Sequence, residues 1–364
     1  MLTITALTFI LSTMFVLGLR KAAVKHGYVD RPTARKVHTG DIPLVGGISL
    51  FFTILAVLAT HPEFLPRSGN YLFCSAVLVT VGALDDKIEL GAKFRLLILT
   101  LLSVWLTFSH KANLVHLGDL FGFGDIFIPN GKELFTILAV IAAITAFNMS
   151  DGLDGLLGGL SAVTFGSLGY FFFHAGQTNL GAFCILFVVA MLPYILCNLD
   201  IVPHRTLKVF MGDSGSYFIG FTIIWLLVES TQFAAPMTKE VSLRPVTALW
   251  ITAVPVMDMV MVMLRRIGKR QSPLKADKLH LHHIFQRLGF SSSKTLITIV
   301  SFSILCAAFG IYGELTAVHE YVMLYLFVAL FFVYFVAMRH IWKIVTTLRS
   351  WKKKRELHQK KLMR

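Results

Sequence analysis

Residues 155–199 read GLLGGLSAVTFGSLGYFFFHAGQTNLGAFCILFVVAMLPYILCNL, a run without one Asp, Glu, Lys or Arg. Its length is about twice the roughly 20 apolar residues that one α-helix needs to cross a bilayer. The polar, glycine-containing break His174-Ala-Gly-Gln-Thr sits where a turn would divide two crossings. The stretch therefore predicts a pair of antiparallel membrane helices, at 156–174 and 179–197.

The same criterion, carried outward, predicts spans at 2–19, 43–61, 68–84, 94–110, 133–150, 213–228, 246–264, 295–313 and 320–338, about 11 transmembrane helices in all. The expectation is an all-α integral membrane protein. Composition agrees: of 364 residues 55% are hydrophobic and 15% charged, against about 25% charged in soluble domains, and the mean hydropathy is +0.71. A soluble enzyme of average composition is excluded. Cys74, Cys184, Cys197 and Cys306 lie in apolar runs without metal-type spacing and read as small core residues. The first apolar run lacks the basic start and small-residue cleavage site of a secretory signal and is kept as a span. Residues 1–338 are expected to form one polytopic domain whose loop 265–294 carries a histidine motif, and residues 339–364 a basic tail.

Charge decides the expected orientation. With the carboxyl end in the cytoplasm, the inner loops and tail hold 29 Lys and Arg and the outer loops five, which the positive-inside rule reads as a periplasmic N-terminus and a cytoplasmic C-terminus. The net charge of +14 is then accounted for by anionic membrane lipids, because the tail Trp351-Lys-Lys-Lys-Arg follows directly on the last span. No aromatic-interleaved basic platform points to nucleic acid.

This topology, set without reference to any motif, gathers the acidic residues on the cytoplasmic membrane face. Asp85-Asp86 closes the third span. Asn148-Met-Ser-Asp151-Gly-Leu-Asp154-Gly-Leu joins the fifth and sixth, Met211-Gly-Asp213-Ser-Gly-Ser opens the eighth, and His280-Leu-His282-His283 lies in the loop after the ninth. Adjacent Asp85 and Asp86 point about 100° apart on a helix, so one is expected to face a ligand while the other holds a neighbour. Asn148, Asp151 and Asp154 recur every third residue and stack along one helical face; two carboxylates and an amide without a local cation suit a cation or phosphate-metal site. Asp213 reads either as an ordinary N-cap or as an ion ligand beside a phosphate at a helix N-terminus. Magnesium needs only one or two such oxygens and completes its shell with water and phosphate.

His280, His282 and His283 lack the Cys or His-Glu-x-x-His companions of a zinc site. Beside Arg265 and Arg266 they read as N–H donors to an anionic substrate. Asp258, inside Pro255-Val-Met-Asp-Met, is either functional, as intramembrane carboxylates are by default, or a buried partner for Arg or His. Lys36 and His38, before Ile42-Pro-Leu-Val-Gly-Gly, could grip an anionic head group or simply orient the chain.

The ordered set of these four motifs resembles the polyprenyl-phosphate N-acetylhexosamine-1-phosphate transferases, along nearly the whole chain. The Ile-Pro-Leu-Val-Gly-Gly segment and the His-x-His-His form look most like the bacterial branch that uses N-acetylglucosamine. The resemblance implies that UDP-N-acetylglucosamine and undecaprenyl phosphate give undecaprenyl-diphospho-N-acetylglucosamine and UMP, with Mg2+ or alternatively Mn2+. This would be the first step of O-antigen or enterobacterial common antigen synthesis at a bacterial inner membrane. Carried over by motif position, Asn148 and Asp213 resemble the metal-contacting pair and Asp85 the principal catalytic aspartate, with Asp151 and Asp154 beside it. Asp86 and Lys93 resemble diphosphate-site residues, the histidine segment the part that meets the sugar nucleotide, and Asn198 a nucleotide-side asparagine. The stretch after Asn198, Asp200-Ile-Val-Pro-His, is longer than in the peptidoglycan branch. Asp85 is expected to position or finally deprotonate the lipid phosphate rather than form a phospho-enzyme. The rival readings are the same chemistry with another UDP-amino sugar or UDP-N-acetylmuramoyl-pentapeptide, and a secondary transporter, whose binding groups would sit nearer the bilayer midplane. The oligomeric state is left open, a homodimer included.

Overall fold

A computed structural model describes residues 1–32, 40–110, 113–201, 207–232, 243–273, 280–341 and 346. Among these the helices are α1 (Leu2–His26), α2 (Gly46–Thr60), α3 (Ser68–Ile88), α4 (Ala92–His110), α5 (Lys132–Met149), α6 (Leu156–His174), α7 (Thr178–Asn198), α8 (Gly212–Gln232), α9 (Pro245–Ile251), α10 (Ala253–Gly268), α11 (Leu281–Arg287), α12 (Ser292–Leu315) and α13 (Glu320–Arg339). Two small antiparallel ribbons complete the fold: β1 (Val29–Asp30) pairs with β2 (Ile42–Pro43), and β3 (His116–Gly118) with β4 (Ile126–Phe127).

Each expected span coincides with a helix, and the expected turn falls between α6 and α7, where Gly176 takes φ +70°. One span differs in shape: the ninth is two helices, α9 and α10, meeting at 83° about Thr252. Pro255 lies in the first turn of α10, where its missing N–H costs nothing. By length and apolar content alone, six described helices could cross a membrane, α1, α5, α6, α7, α12 and α13, or seven with the bent pair. Helices α3, α4 and α8 carry charge at their ends, Asp85 to Lys87, Lys93 with Arg95, and Asp213 with Glu229. Outward residues such as Ile10 and Met14 of α1 and Phe332 and Val333 of α13 are exposed, the pattern of a surface facing hydrocarbon.

Helix α8 is the central element. It is buried on every side from Ser214 to Thr231, as expected of a helix apolar all round. Its neighbours approach it through glycines: a Cβ on Gly47 of α2 would lie 2.1 Å from the Gly215 nitrogen, and one on Gly82 of α3 2.4 Å from the nitrogen and Cα of Ser214. Small residues at such crossings let helix backbones touch. Further along, the ring of Tyr71 on α3 stacks on Phe221 at 5.8 Å, and its hydroxyl is 2.8 Å from that of Thr222. At the far end Arg67 donates to both oxygens of Glu229, at 2.7 and 2.8 Å. The near end is tied by backbone: Phe210 N–H donates to Pro43 O, and Gly46 and Gly47 N–H donate to Phe210 O and Met211 O. The start of α8 is thus fixed against α2 and α3, and the end of α5 meets it there.

Candidate active site

The first turn of α8 is held by the last turn of α3. Asp86 accepts from the Asp213 N–H through Oδ1 at 2.8 Å and from the Ser214 N–H through Oδ2 at 3.5 Å, while the Tyr28 hydroxyl donates to Oδ2 at 3.4 Å. A carboxylate from another helix therefore caps α8, on the positive end of its dipole. Gly212 has φ +74°, and a Cβ there would meet Asp86 Oδ2 at 2.4 Å; only glycine leaves room for this cap.

Asp85, 4% exposed, points elsewhere. It accepts from the Leu90 N–H at 2.7 Å, from Arg95 Nη1 at 3.1 Å and from the Tyr217 hydroxyl at 3.1 Å. These bonds fold the α3–α4 turn back and bring Arg95 into the centre, where Nη1 also lies 3.7 Å from Asp213 Oδ2. One guanidinium thus stands between two carboxylates from different helices. From the end of α5, Asn148 Nδ2 donates to Asp213 Oδ1 at 2.7 Å and to Ser216 Oγ at 2.8 Å. Asp154 pairs with Lys208 Nζ at 2.5 Å. The turn is secured from behind by Asn198, which accepts from the Gly155 N–H at 2.6 Å and donates to Val209 O at 3.0 Å.

Asp151 differs from its neighbours in having no side-chain hydrogen bond among the described residues. Loss of water, followed by the charges of Asp213 and Asp154, pushes its carboxyl up to about 7 from 3.8. Because the folded state raises this value, the associated stability is full below about pH 4 and is lost as pH rises through about 7. In a chelator, the thermal midpoint of the detergent-solubilised protein is expected to fall between about pH 5 and about pH 8. Asp151→Asn should reduce that slope, the remainder coming from Asp86 and Asp213, which burial also pushes up, to about 8 and about 6; an unchanged slope in the variant would contradict the assignment.

The histidine segment closes the same region. His282, 2% exposed, lies against the Asp151-Gly152 turn so closely that a Cβ on Gly152 would be 2.3 Å from Nε2. Burial first, then the neighbouring His283, pushes its imidazole down to about 3, so it is neutral at physiological pH. His280, 7% exposed, lies with Nδ1 2.9 Å from Asp258 Oδ2. The rings of His280 and His282 are parallel within 6°, and those of His282 and His283 are 4.1 Å apart.

Residues 69–231 match glycosyl transferase family 4. Over 347 residues, 95% of this chain, the sequence is 42% identical to the undecaprenyl-phosphate alpha-N-acetylglucosaminyl 1-phosphate transferase of Salmonella typhi, covering 93% of that protein. The enzyme of that name from Escherichia coli (strain K12) gives the same figures. The one from Haemophilus influenzae is 39% identical over 95% of this chain and 96% of its own length. The chain belongs to glycosyl transferase family 4. The family 4 match runs from α3 into α8 and so contains every carboxylate described above except Asp258. The histidine segment lies beyond it but within the length shared with the relatives.

Several of the expected site residues are placed in contacts within the protein. Asn198, expected on the nucleotide side, uses both ends of its amide on backbone and is 3% exposed, so it braces the turn. Arg266, 4% exposed, donates to Pro273 O, and Asp258 accepts from His280, Leu281 and Tyr334; both are internal ties. His280 and His282 are likewise engaged or enclosed within the protein, which leaves half-buried His283 and Arg265 as the outward members of that group. Lys93 is exposed, and at 100° per residue it points to the other side of α4 from Arg95. Lys36 and His38 lie outside the described residues. Arg95, Lys208 and Tyr217 were not singled out from sequence. Tyr217 had a signal, since it follows Asp213 by four residues and shares its helical face; Lys208 had one as the cation nearest before Phe210-Met-Gly-Asp. Arg95 had none without the phase of α4.

Proposed function

We propose that the protein transfers N-acetylglucosamine 1-phosphate from UDP-N-acetylglucosamine to undecaprenyl phosphate, releasing UMP, at the cytoplasmic face of a bacterial inner membrane. The observation that carries this reading is the meeting of the Asp85-Asp86 and Asn148 motifs at Asp213, with Arg95 set between Asp85 and Asp213 and the histidine segment seated on the adjoining Asp151-Gly152 turn. The names of the relatives support the acceptor and the transferred group. The eleven helical segments, the ninth broken, are read as eleven crossings with the N-terminus periplasmic, and the lopsided loop charge supports that orientation. The product would open O-antigen or enterobacterial common antigen synthesis.

In the reaction, an oxygen of the lipid phosphate attacks the sugar-bearing phosphorus of the nucleotide. The bond from that phosphorus to the bridging oxygen breaks, and UMP departs with the electron pair. A phosphate monoester has a second pKa of about 6, so the attacking group is already largely dianionic and needs no strong base. Asp85, enclosed by three donors, orients Arg95 rather than attacking phosphorus itself. Arg95 and Lys208 are the cations placed to offset charge that builds on the diphosphate.

The residues present suit a divalent cation. Asp213, Asn148 and Asp151, whose carboxylate has no side-chain hydrogen bond among the described residues, offer hard oxygen donors, and Asp151 is buried beside the charges of Asp213 and Asp154. Among the described residues no three His, Cys, Asp or Glu form a preformed cage, and magnesium does not require one. Asn148, Asp151 and Asp213 would hold Mg2+ or Mn2+, which when bound supplies Lewis-acid neutralisation of phosphoryl oxygens.

The test is UMP release by purified protein given undecaprenyl phosphate, Mg2+ and each UDP-sugar in turn. UDP-N-acetylglucosamine is expected to be the best donor, with activity abolished by chelator and restored by Mg2+. Preference for another UDP-amino sugar or for UDP-N-acetylmuramoyl-pentapeptide would overturn the donor assignment. Uptake of an unmodified substrate into sealed vesicles without UMP would overturn the transferase reading.

A further inference from the structure

Asp258 lies on α10, in the half of the broken span beyond Thr252, and is 6% exposed. An intramembrane carboxylate in such a place needs partners, and it has three. Oδ2 lies 2.9 Å from His280 Nδ1, while Oδ1 accepts from the Leu281 N–H at 3.0 Å and from the Tyr334 hydroxyl at 2.8 Å. These partners come from the residue that caps α11, from the first residue of α11 and from the middle of α13. Apolar contacts reinforce the same junction: Met261 of α10, Ile284 of α11 and Met338 of α13 share one cluster, with Leu281 and Tyr334 packed on it. Two residues after His280, His282 presses against Gly152 of the acidic turn.

We propose that Tyr334 and Asp258 form a positioning relay that fixes the tautomer of His280 and seats α11 over the acidic turn, and so sets recognition of the nucleotide-sugar donor. The inference rests on the reading above that the histidine segment meets the sugar nucleotide. A carboxylate has about four lone-pair positions and no proton to give. With the Leu281 N–H and the Tyr334 O–H occupying one oxygen, the other requires a donor from His280, which places the imidazole proton on Nδ1. This is the arrangement by which a carboxylate orients a catalytic or ligating histidine elsewhere. Neither Asp258 nor Tyr334 touches substrate; both act through α11. The relay also gives α13, otherwise a peripheral helix, a role in the site.

Asp258→Asn distinguishes the relay from simple packing. The amide keeps size and one acceptor, but that oxygen is claimed by Leu281 and Tyr334, so its NH2 faces His280 and drives the ring proton to Nε2. In histidine-labelled protein, nitrogen NMR, assigned by difference with His280→Gln, is expected to show Nδ1 protonated in the unmodified chain and unprotonated in Asp258→Asn. The kinetic counterpart is a KM for UDP-N-acetylglucosamine raised about 10-fold or more in Asp258→Asn, and about 3-fold or more in Tyr334→Phe, the loss of one hydrogen bond. The KM for undecaprenyl phosphate and the thermal midpoint should stay near their starting values in Tyr334→Phe. An Nδ1 state identical in both proteins overturns the proposal, as do parallel losses in both KM values and in thermal stability. If the unmodified protein releases no UMP the proposed function falls, and the NMR comparison still decides the relay on its own.

Discussion

Gly82→Ala is expected to unfold or misplace the start of α8 and to remove transferase activity with it. The added methyl carbon would sit 2.4 Å from the nitrogen and Cα of Ser214 and 2.7 Å from the Asp213 carbonyl carbon. All three are backbone atoms of a helix enclosed on every side, so no side-chain rotation relieves the clash. Overpacking of this kind ordinarily costs about 1–3 kcal/mol, and backbone-on-backbone contact puts it at the upper end. The displaced residues are the ones that matter: Asp213 would leave the reach of Asn148, and its N–H would leave Asp86. The thermal midpoint in detergent and the rate of UMP release measure the two effects. Gly18→Ala on α1, where nothing lies within 4 Å of the added carbon, is the matched control and should change neither. A Gly82→Ala protein with normal midpoint and rate would refute the close crossing.

Arg95→Ala should lower the transfer rate by about 100-fold to 1000-fold, the loss typical of removing a donor that stabilises transition-state charge. The residue is the one cation within reach of both Asp85 and Asp213 among the described residues. Its removal also leaves Asp85, whose side chain is 3% exposed, with two of its three donors. Breaking a fully buried pair costs about 3–5 kcal/mol, but the Arg95 side chain is 32% exposed, which lowers the expected penalty to about 1–2 kcal/mol. Arg95→Lys should recover part of the rate, since it restores charge without the planar fork. Lys93→Ala, on the other face of α4, should stay within about 3-fold of the starting rate, because an exposed lysine that forms no ion pair among the described residues contributes little. Rates measured by UMP release in which Lys93→Ala is the damaged variant would reverse the assignment.

The membrane architecture was legible because it depends on something a sequence carries directly, the length of uncharged runs. Residues 155–199 could hardly be anything but two crossings, and the turn between them was announced by Gly176. The break at Thr252 was less visible: Pro255 is a known opener of helices, yet the flanking residues are as apolar as any continuous span. The convergence of Asp86, Asn148 and Asp213 was also readable, since their motifs fall at helix ends that the expected spans place on one side. What each charged residue does there was not. Lys93 and Arg95 differ by two positions, and only the rotational phase of α4 tells which one meets Asp85. Asn198 and Arg266 carry the residue types of ligand contacts, but Asn198 gives its amide to the Gly155 N–H and Val209 O, and Arg266 is buried with Nη1 on Pro273 O. The three histidines look alike in sequence and become distinct through Asp258 and Gly152, one 22 residues earlier and the other on a different loop.

The tight seating of α8 has a consequence for biogenesis. The chain is made from its amino end, so α2, α3 and α5 are synthesised before the residues that will fill the space between them. Until α8 arrives, Asp86 has no helix start to cap, Asn148 has no carboxylate to hold, and the glycine faces of α2 and α3 have no backbone to touch. Helix insertion must therefore leave a vacant slot, with several polar groups waiting at its mouth, and a late helix must slide into it. A chain in which α8 failed to seat would lack the Asp86 cap and the Asn148–Asp213 contact together, so correct docking of this one helix assembles the site.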